Sequence, residues 1–353
     1  MTDRILLIRL GAIGDVIHTL PLAAAIRDGY PSAEIYWAAA PGSRLLLECN
    51  PDINGVFSVD LRALSEAGLA KALALARSHL HSLRSLRTDI AVDAQGLIKS
   101  GMIAWASGAG MRVGFDHSSC REGLSVAFTT HWAPPIERPH HVVEKNLSLL
   151  NPLGIEIPSA ESIRFSLREE VKEGGEVASY LRREGLAEGR PLMVMHPGAG
   201  WETKRWESRR YAALGDAWIG FSGGDLILTW GPGEEEAARR VVGAMHRPAV
   251  LAPPTNIRQL TALIRCSDIF TGGDTGPLHL AAALGVRCFA LFGPTEPARN
   301  GPWGDGHTVM HYRLACSGCY GRSCPDVECL DRIDENDAIR ALRRLWENHE
   351  KFR

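Results

Sequence analysis

Two kinds of apolar run alternate along the first half of the chain. Short, unbroken runs of β-branched and aliphatic residues occupy 4–10, 34–39, 56–59 and 90–93. Runs of this length and texture predict buried strands. Longer stretches with helical spacing lie between them: 16–27, with Pro21 disturbing its early turns, 69–86, rich in Ala and Leu, and a segment from about 98 onward. The same grammar returns in the second half, with strands at 191–195, 225–230, 249–251, 269–272 and 288–292 and a helix opening at Glu234. Strands alternating with helices predict parallel sheets covered on both faces. Between the halves, residues 151–190 hold Pro152, Pro158 and a polar helix rich in Glu and Arg, so the boundary falls within 165–190. The expected organisation is an α/β fold with two doubly wound domains, 1–170 and 171–335, facing each other. A charged amphipathic helix then begins at Asn336, and the segment 336–353 is expected to pack back across the structure. Ligands of open parallel sheets bind beyond the carboxyl ends of the strands, which makes the cleft between two such domains the default site.

Composition narrows the classes. The 353 residues are 45% hydrophobic and 23% charged with a net charge of −2, which excludes disordered and collagen-like chains. A near-neutral balance argues against a nucleic-acid partner. No apolar run approaches the ~18–20 residues that cross a bilayer. Arg4 and Arg9 flank a short apolar run that leads into a glycine turn rather than a cleavage site, so a cytoplasmic location is expected. Of eight cysteines, Cys49, Cys120, Cys266 and Cys288 read as scattered buried thiols, whereas Cys316, Cys319, Cys324 and Cys329 crowd into fourteen residues. Disulfides explain such a cluster poorly in the cytosol.

Three glycine-rich turns follow strands: Gly11-Ala12-Ile13-Gly14-Asp15, Gly198-Ala199-Gly200 and Gly272-Gly273-Asp274-Thr275-Gly276. None is a full dinucleotide fingerprint or a P-loop. Glycine suits any βα turn, but three at corresponding strand ends favour ligand binding. In the third turn, Asp274 or Thr275 can cap a helix that Pro277 opens. A diphosphate against that helix start would gain hydrogen bonds and dipole energy, and His279 falls within reach in the first turn. Metal-held diphosphates often use an Asp-x-Asp pair, and this chain has none. Neutralisation then falls to the helix start and to a cation such as Lys204. Glu234 at a strand end either only stabilises its helix start or accepts hydrogen bonds from ribose hydroxyls. Asp15 is either a cap or a general base beside an attacking hydroxyl.

Four segments in this order carry a resemblance: residues 10–21 around Asp15, Asp93-Ala94-Gln95-Gly96-Leu97-Ile98-Lys99-Ser100, Gly273-Asp274-Thr275-Gly276-Pro277-Leu278-His279, and 291–297. The chain resembles the heptosyltransferases of lipopolysaccharide core assembly, over nearly its whole length. The resemblance implies the GT-B fold of two Rossmann-like domains, an N-terminal one for the acceptor and a C-terminal one for the nucleotide sugar. It implies ADP-heptose as donor, inversion at the anomeric carbon, and no cofactor or metal at the donor phosphates. By resemblance Asp15 is the catalytic base. Lys204 contacts the diphosphate, Glu234 the ribose, and Asp274, Thr275, Gly276 and His279 line the diphosphate and sugar. Gly14, Lys99, Arg121 and Arg62 lie towards a lipid-linked, Kdo-containing acceptor. The 196–204 loop departs from the family pattern: it is one residue longer, and Gly198 and Ala199, also donor-side positions, replace hydroxyl residues. Residues 95–100 and Arg121-Glu122-Gly123-Leu124 resemble the enzyme adding the first heptose, the reading adopted; the cysteine cluster and Asn300-Gly301-Pro302-Trp303-Gly304 resemble enzymes adding later ones. A nucleotide-sugar epimerase on the same fold and a nucleotide- or metal-binding interaction protein are the rivals. Four thiolates can hold tetrahedral zinc; the second pair is spaced more widely than in zinc ribbons, and structural thiols are the reading taken. A lipid-linked acceptor also implies peripheral contact with the anionic inner-membrane surface, for which the helix at 69–87 offers Lys71, Arg77, Arg84 and Arg87.

Overall fold

A computed structural model describes residues 3–136, 140–168, 170–186 and 189–350, with their side chains except those at 62, 64, 65, 69 and 70. Contacts divide the chain into two units, Met1–Arg168 and Glu169–Arg353. In the first, strands β1 (Arg4–Ile8), β2 (Glu34–Ala39), β3 (Gly55–Ser58), β4 (Ile90–Asp93), β5 (Met111–Phe115) and β6 (His131–Ala133) form one sheet. Its order is β3-β2-β1-β4-β5-β6, parallel throughout. Ile5, Leu6, Leu7 and Ile8 of β1 are all fully buried, which is why this strand reads as a continuous apolar run rather than an alternating one.

The second unit holds β7 (Leu192–His196), β8 (Asp225–Leu228), β9 (Val250–Leu251), β10 (Ile269–Gly273), β11 (Arg287–Phe292) and β12 (Thr308–His311). Their order, β12-β11-β10-β7-β8-β9, is again wholly parallel. Read from the other end it repeats the first sheet: the first strand of the unit lies between the second and the fourth. Chain direction across the sheet therefore reverses between β1 and β4, and between β7 and β10. Those are the points where loops part and a ligand can enter.

Local differences from the sequence pattern have simple causes. The helix expected at 16–27 is two helices, Ile13–Ile17 and Leu20–Gly29, and Pro21 disturbs neither. It sits in the first turn of the second, where its missing N–H costs nothing. Strands β5, β6 and β12 escape the pattern because they are short or lack full burial; β5 contains Gly114, where a Cβ would lie 2.7 Å from Thr129 Cγ2. The last helix, Glu335–Glu350, turns Ala338, Leu342, Leu345 and Trp346 into the core of the second unit, a spacing that keeps one stripe apolar. Among the described residues no helix is long and apolar enough to cross a membrane.

Trp346 meets Trp218 edge to face with ring centroids 5.1 Å apart, and both are buried. Trp218 also donates from Nε1 to the Asp225 carbonyl at 2.9 Å, so it is anchored to the start of β8. Trp346→Ala should destabilise the second unit by about 3–5 kcal/mol, the usual cost of an aromatic-to-alanine cavity. Guanidinium unfolding followed by circular dichroism checks this, and a midpoint equal to that of the parent chain would contradict the packing.

Candidate active site

At the centre of the second sheet Gly272 of β10 pairs with His196 of β7, and the segments beyond them carry the charged groups. Lys204 ends the short 3₁₀ turn Glu202–Lys204. Its Nζ donates to Asp274 Oδ2 at 2.6 Å and to the Asp274 carbonyl at 3.0 Å, and lies 4.3 Å above the Trp201 ring. His279 Nε2 hydrogen-bonds the other carboxylate oxygen at 3.0 Å. Asp274 is only 5% exposed. Burial alone would push its carboxyl up, but the hydrogen bonds and charges of His279 and Lys204 outweigh burial and hold it well below the usual carboxylate range.

The helix Gly276–Ala283 starts at this cluster with Thr275 as its N-cap residue, and no side chain caps it. The Thr275 hydroxyl donates instead to the Gly273 carbonyl at 3.2 Å. Asp274, a capping candidate in the sequence, is engaged by Lys204 and His279. Pro277 has no N–H, and those of Leu278 and His279 donate to the Thr275 carbonyl at 3.1 and 3.3 Å, so the helix start brings the Gly276 N–H and a positive dipole end beside the lysine.

Glu234 sits at the neighbouring strand end. Its Oε2 accepts the Gly231 N–H at 3.0 Å and faces His196 Nε2 at 3.2 Å, while His196 Nδ1 meets Thr229 Oγ1 at 3.1 Å. Burial opposes ionisation of Glu234, yet the His196 contacts and the Gly231 N–H hold its carboxyl below the ordinary value. A Cβ on Gly198 would lie 2.4 Å from Glu234 Oε2. No hydroxyl residue fits at 198 while Glu234 holds this position. Ala199 is buried, and its carbonyl accepts from Arg205 Nε at 2.9 Å. His196 was not singled out from the sequence; a polar residue ending an otherwise apolar, wholly buried strand was the available signal.

In the first unit, Asp15 lies in the short helix Ile13–Ile17, beside the buried Gly14. Arg9 Nη2 is 3.0 Å from Asp15 Oδ1, and the same guanidinium donates through Nη1 to the Ala94 carbonyl. The turn after β1 is thus tied to the turn after β4. Leu10 N–H donates to Gln95 Oε1 at 2.8 Å in the same sense. Gly96, at φ 66°, accepts on its carbonyl from the N–H groups of Arg121 and Glu122, both at 3.0 Å. The Lys99 and Arg121 side chains are exposed on this rim. The Arg62 side chain lies outside the described residues. Sequence reasoning gave Arg9 no place in the site, although an arginine directly after a buried strand is as unusual as the histidine at 196.

Cys316, Cys319, Cys324 and Cys329 are free thiols. Burial, with Cys319 and Cys316 nearby, pushes the Cys329 thiol up, and the Cys324 thiol donates to the Asp326 carbonyl at 2.9 Å. Among the described residues no group of three or more His, Cys, Asp or Glu is arranged to hold a metal ion. The loop carrying these thiols is tied to the lysine loop by Thr203 Oγ1 donating to the Gly321 carbonyl at 2.8 Å. Arg322 stacks 5.0 Å from the same Trp201 ring that lies under Lys204.

Each unit therefore carries a cluster of charged residues at its own switch point, around Asp15 in the first and around Asp274 in the second. Residues 76–329 match glycosyltransferase family 9 (heptosyltransferase). The chain belongs to that family. It is 29% identical to lipopolysaccharide heptosyltransferase 1 of Pseudomonas aeruginosa, over 91% of this chain and 87% of that one. A family 9 glycosyl transferase from Veillonella parvula superposes with a TM-score of 0.83 at 22% identity, covering 97% of each chain. E. coli heptosyltransferase WaaC, solved with ADP, gives 0.79 at 22% identity, covering 97% of this chain and 99% of that one. The fold is thus that of the heptosyltransferases, the GT-B type with two Rossmann-like units.

Asp93, at the end of β4 in this family's first unit, accepts the N–H groups of Gln95 and Gly96 on Oδ1 at 2.9 and 3.1 Å and the Ser100 hydroxyl on Oδ2 at 2.9 Å. Burial outweighs these bonds and pushes its carboxyl from 3.8 up to about 6. The folded state then holds a proton that the unfolded state releases. Its stability contribution is complete below the unfolded value and is lost as pH rises through about 6, a fall of about 2–3 kcal/mol. Asp93→Asn removes this titration, so the melting temperature of the variant relative to the parent should rise between pH 4 and 7. A difference independent of pH would contradict the shift.

Proposed function

We propose that this chain moves heptose from ADP-heptose onto the Kdo region of a lipid-linked lipopolysaccharide precursor, with inversion and without a metal ion. The observation that carries the reading is the Lys204–Asp274–His279 cluster at an uncapped helix start on the switch point of the second sheet. Asp274 orients Lys204, and the lysine with the Gly276 N–H and the positive end of its helix supplies positive charge for a diphosphate. Glu234 takes the ribose hydroxyls, with Gly198 and Ala199 bordering it. In the first unit Asp15, held by Arg9, accepts the proton of the acceptor hydroxyl as that oxygen bonds to the anomeric carbon. The carbon–oxygen bond to ADP breaks on the opposite face, and its electron pair leaves with the diphosphate. Gly14, Lys99, Arg121 and Arg62 border the anionic acceptor. The first unit is thus the acceptor domain and the second the nucleotide-sugar domain. Transfer of the first heptose is favoured by the sequence at 95–100 and by the name of the Pseudomonas aeruginosa relative. The enzyme works at the cytoplasmic face of the inner membrane, held peripherally by the anionic surface.

The deciding assay incubates purified protein with ADP-heptose and a Kdo-containing lipid acceptor and reads the product mass. Isomerised donor without acceptor would favour an epimerase, and a heptose-terminated acceptor used in preference to a Kdo-terminated one would favour a later transfer step. Asp15→Asn should lower turnover about 10²–10⁴-fold with little change in ADP-heptose affinity, the usual size of general-base removal. Near-parental turnover would rule out Asp15 as the base. EDTA should leave transfer intact, whereas Lys204→Ala should weaken donor binding measured by calorimetry at least about tenfold, since it also leaves Asp274 buried with one partner fewer. Activity abolished by EDTA and restored by magnesium would contradict a lysine-based diphosphate site.

A further inference from the structure

We infer that one face of the first unit docks onto an anionic phospholipid bilayer, with Met102, Trp105 and Leu124 entering the headgroup region. This names the surface behind the membrane contact proposed above and rests on that reading. The argument starts from topology. The crossovers from β3 to β4, from β4 to β5 and from β5 to β6 all run across the sheet in the same direction, and right-handed connections put all three on one side. They contain helix Leu69–Ser85, helix Ile98–Ala106 and the 3₁₀ segment Gly123–Phe128. Leu83 and Ala104 from the two helices pack into one core with Leu6, Ile8 and Ala91 of the sheet. The opposite surface of this layer faces outward.

That outward surface is apolar and basic at once. Helix Ile98–Ala106 buries Ser100, Gly101 and Ala104, leaving Lys99, Met102 and Trp105 as an exposed stripe at three-residue spacing. Met102 is 50% exposed and Trp105 60%. A Cβ on Gly101 would lie 3.1 Å from Phe128 Cβ, so the 3₁₀ segment is drawn tightly against this helix and sets Leu124, 73% exposed, beside it. Leu73 and Leu80 protrude from the neighbouring helix, so five of the ten exposed large hydrophobic side chains among the described residues stand on these three segments. The segments also carry four basic side chains, Lys71, Arg77, Arg84 and Lys99, and no Asp or Glu, in a chain whose net charge is −2. Arg84 Nε donates to the Ala106 carbonyl at 3.4 Å, which closes the end of the stripe opposite Lys99 with a second cation. Of the flanking carboxylates, Glu122 accepts the Ile98 N–H at 2.7 Å, Asp116 accepts the N–H groups of Ser118 and Ser119 at 2.9 and 3.2 Å and Asp89 accepts the Arg4 N–H at 2.9 Å, while Glu66, ahead of helix Leu69–Ser85, is exposed.

A tryptophan among aliphatic side chains, rimmed by Lys and Arg, suits the interface of an anionic membrane. A lone apolar patch or a lone basic patch binds bilayers only marginally; both signals together give useful affinity. The position fits the task as well. Lys99 opens its helix just beyond the carboxyl end of β4, on the rim that Gln95 and Arg9 tie to the Asp15 turn, so a bilayer at this face would present lipid-linked hydroxyls near the acceptor rim.

The test is flotation of the full chain with phosphatidylcholine vesicles, with and without phosphatidylglycerol, comparing the parent with a Trp105→Ser, Leu124→Ser double variant. Both residues are more than half exposed, so the melting temperature should not change. The parent should float with the anionic vesicles, and the variant should partition about tenfold or more weakly. Transfer to a deacylated, water-soluble acceptor should match the parent, while transfer to acceptor embedded in vesicles should fall. A parent that does not float, or a variant that floats as well as the parent, overturns the inference. So does loss of transfer to the soluble acceptor. A parent that dimerises in sedimentation through these residues, with vesicle binding unaffected by the substitutions, would assign the face to a second copy and equally overturn it. If no acceptor of any kind receives heptose but flotation depends on Trp105 and Leu124, the catalytic reading falls and the docking surface stands.

Discussion

A carboxylate almost without water holds the second unit's site together. Asp274 is buried at the end of the central strand pair, where an isolated charge would be strongly disfavoured. It stays ionised because Lys204 and His279 each engage one of its oxygens. That arrangement fixes the lysine loop to the start of helix Gly276–Ala283 and keeps the carboxylate away from capping duty. The cation and the helix start that the proposed diphosphate site requires are thereby consequences of one interaction. Breaking such a pair from one side leaves an uncompensated buried charge, which is why the three residues behave as a unit.

The neighbouring Glu234–His196 pair repeats the device with an imidazole in place of the ammonium group. Here a buried histidine, oriented by Thr229, faces a carboxylate that also receives the Gly231 N–H. Lys204, Asp274 and Glu234 therefore each already have a partner within the unit. The first unit is built differently: Asp15 is paired with Arg9, but Lys99 and Arg121 stand exposed on the rim. In the function proposed, a pre-paired site suits a donor of fixed shape, and exposed cations on a rim suit a larger and more variable anionic acceptor.

Much of this was legible in the sequence because burial on both faces leaves unbroken apolar runs, and β1, β2, β4, β7 and β10 all show them. Strands β5, β6 and β12 lie towards the sheet edges, where partial burial and short length erase the signal. Asp15, Lys204, Glu234 and Asp274 stood out as charged residues beside glycine turns at strand ends. Their partners Arg9, His196 and Trp201 did not. Such residues are defined by what they touch, and contacts such as His196 with Glu234 join positions far apart in the chain.

The glycines themselves acquire a different meaning in three dimensions. Read from sequence, the three turns suggest backbone approaching phosphate. In the structure a Cβ on Gly11 would lie 2.4 Å from Asp15 Oδ2, one on Gly198 would lie 2.4 Å from Glu234 Oε2, and one on Gly273 would lie 2.9 Å from the Lys204 carbonyl. None of these three has a positive φ, so the requirement is for room rather than for unusual backbone geometry. Each glycine clears space for a charged residue, or for the loop that carries one, to fold back over its strand end. Each of these glycines therefore belongs with the charged residue or loop it makes room for, and a side chain placed at the glycine would displace that neighbour.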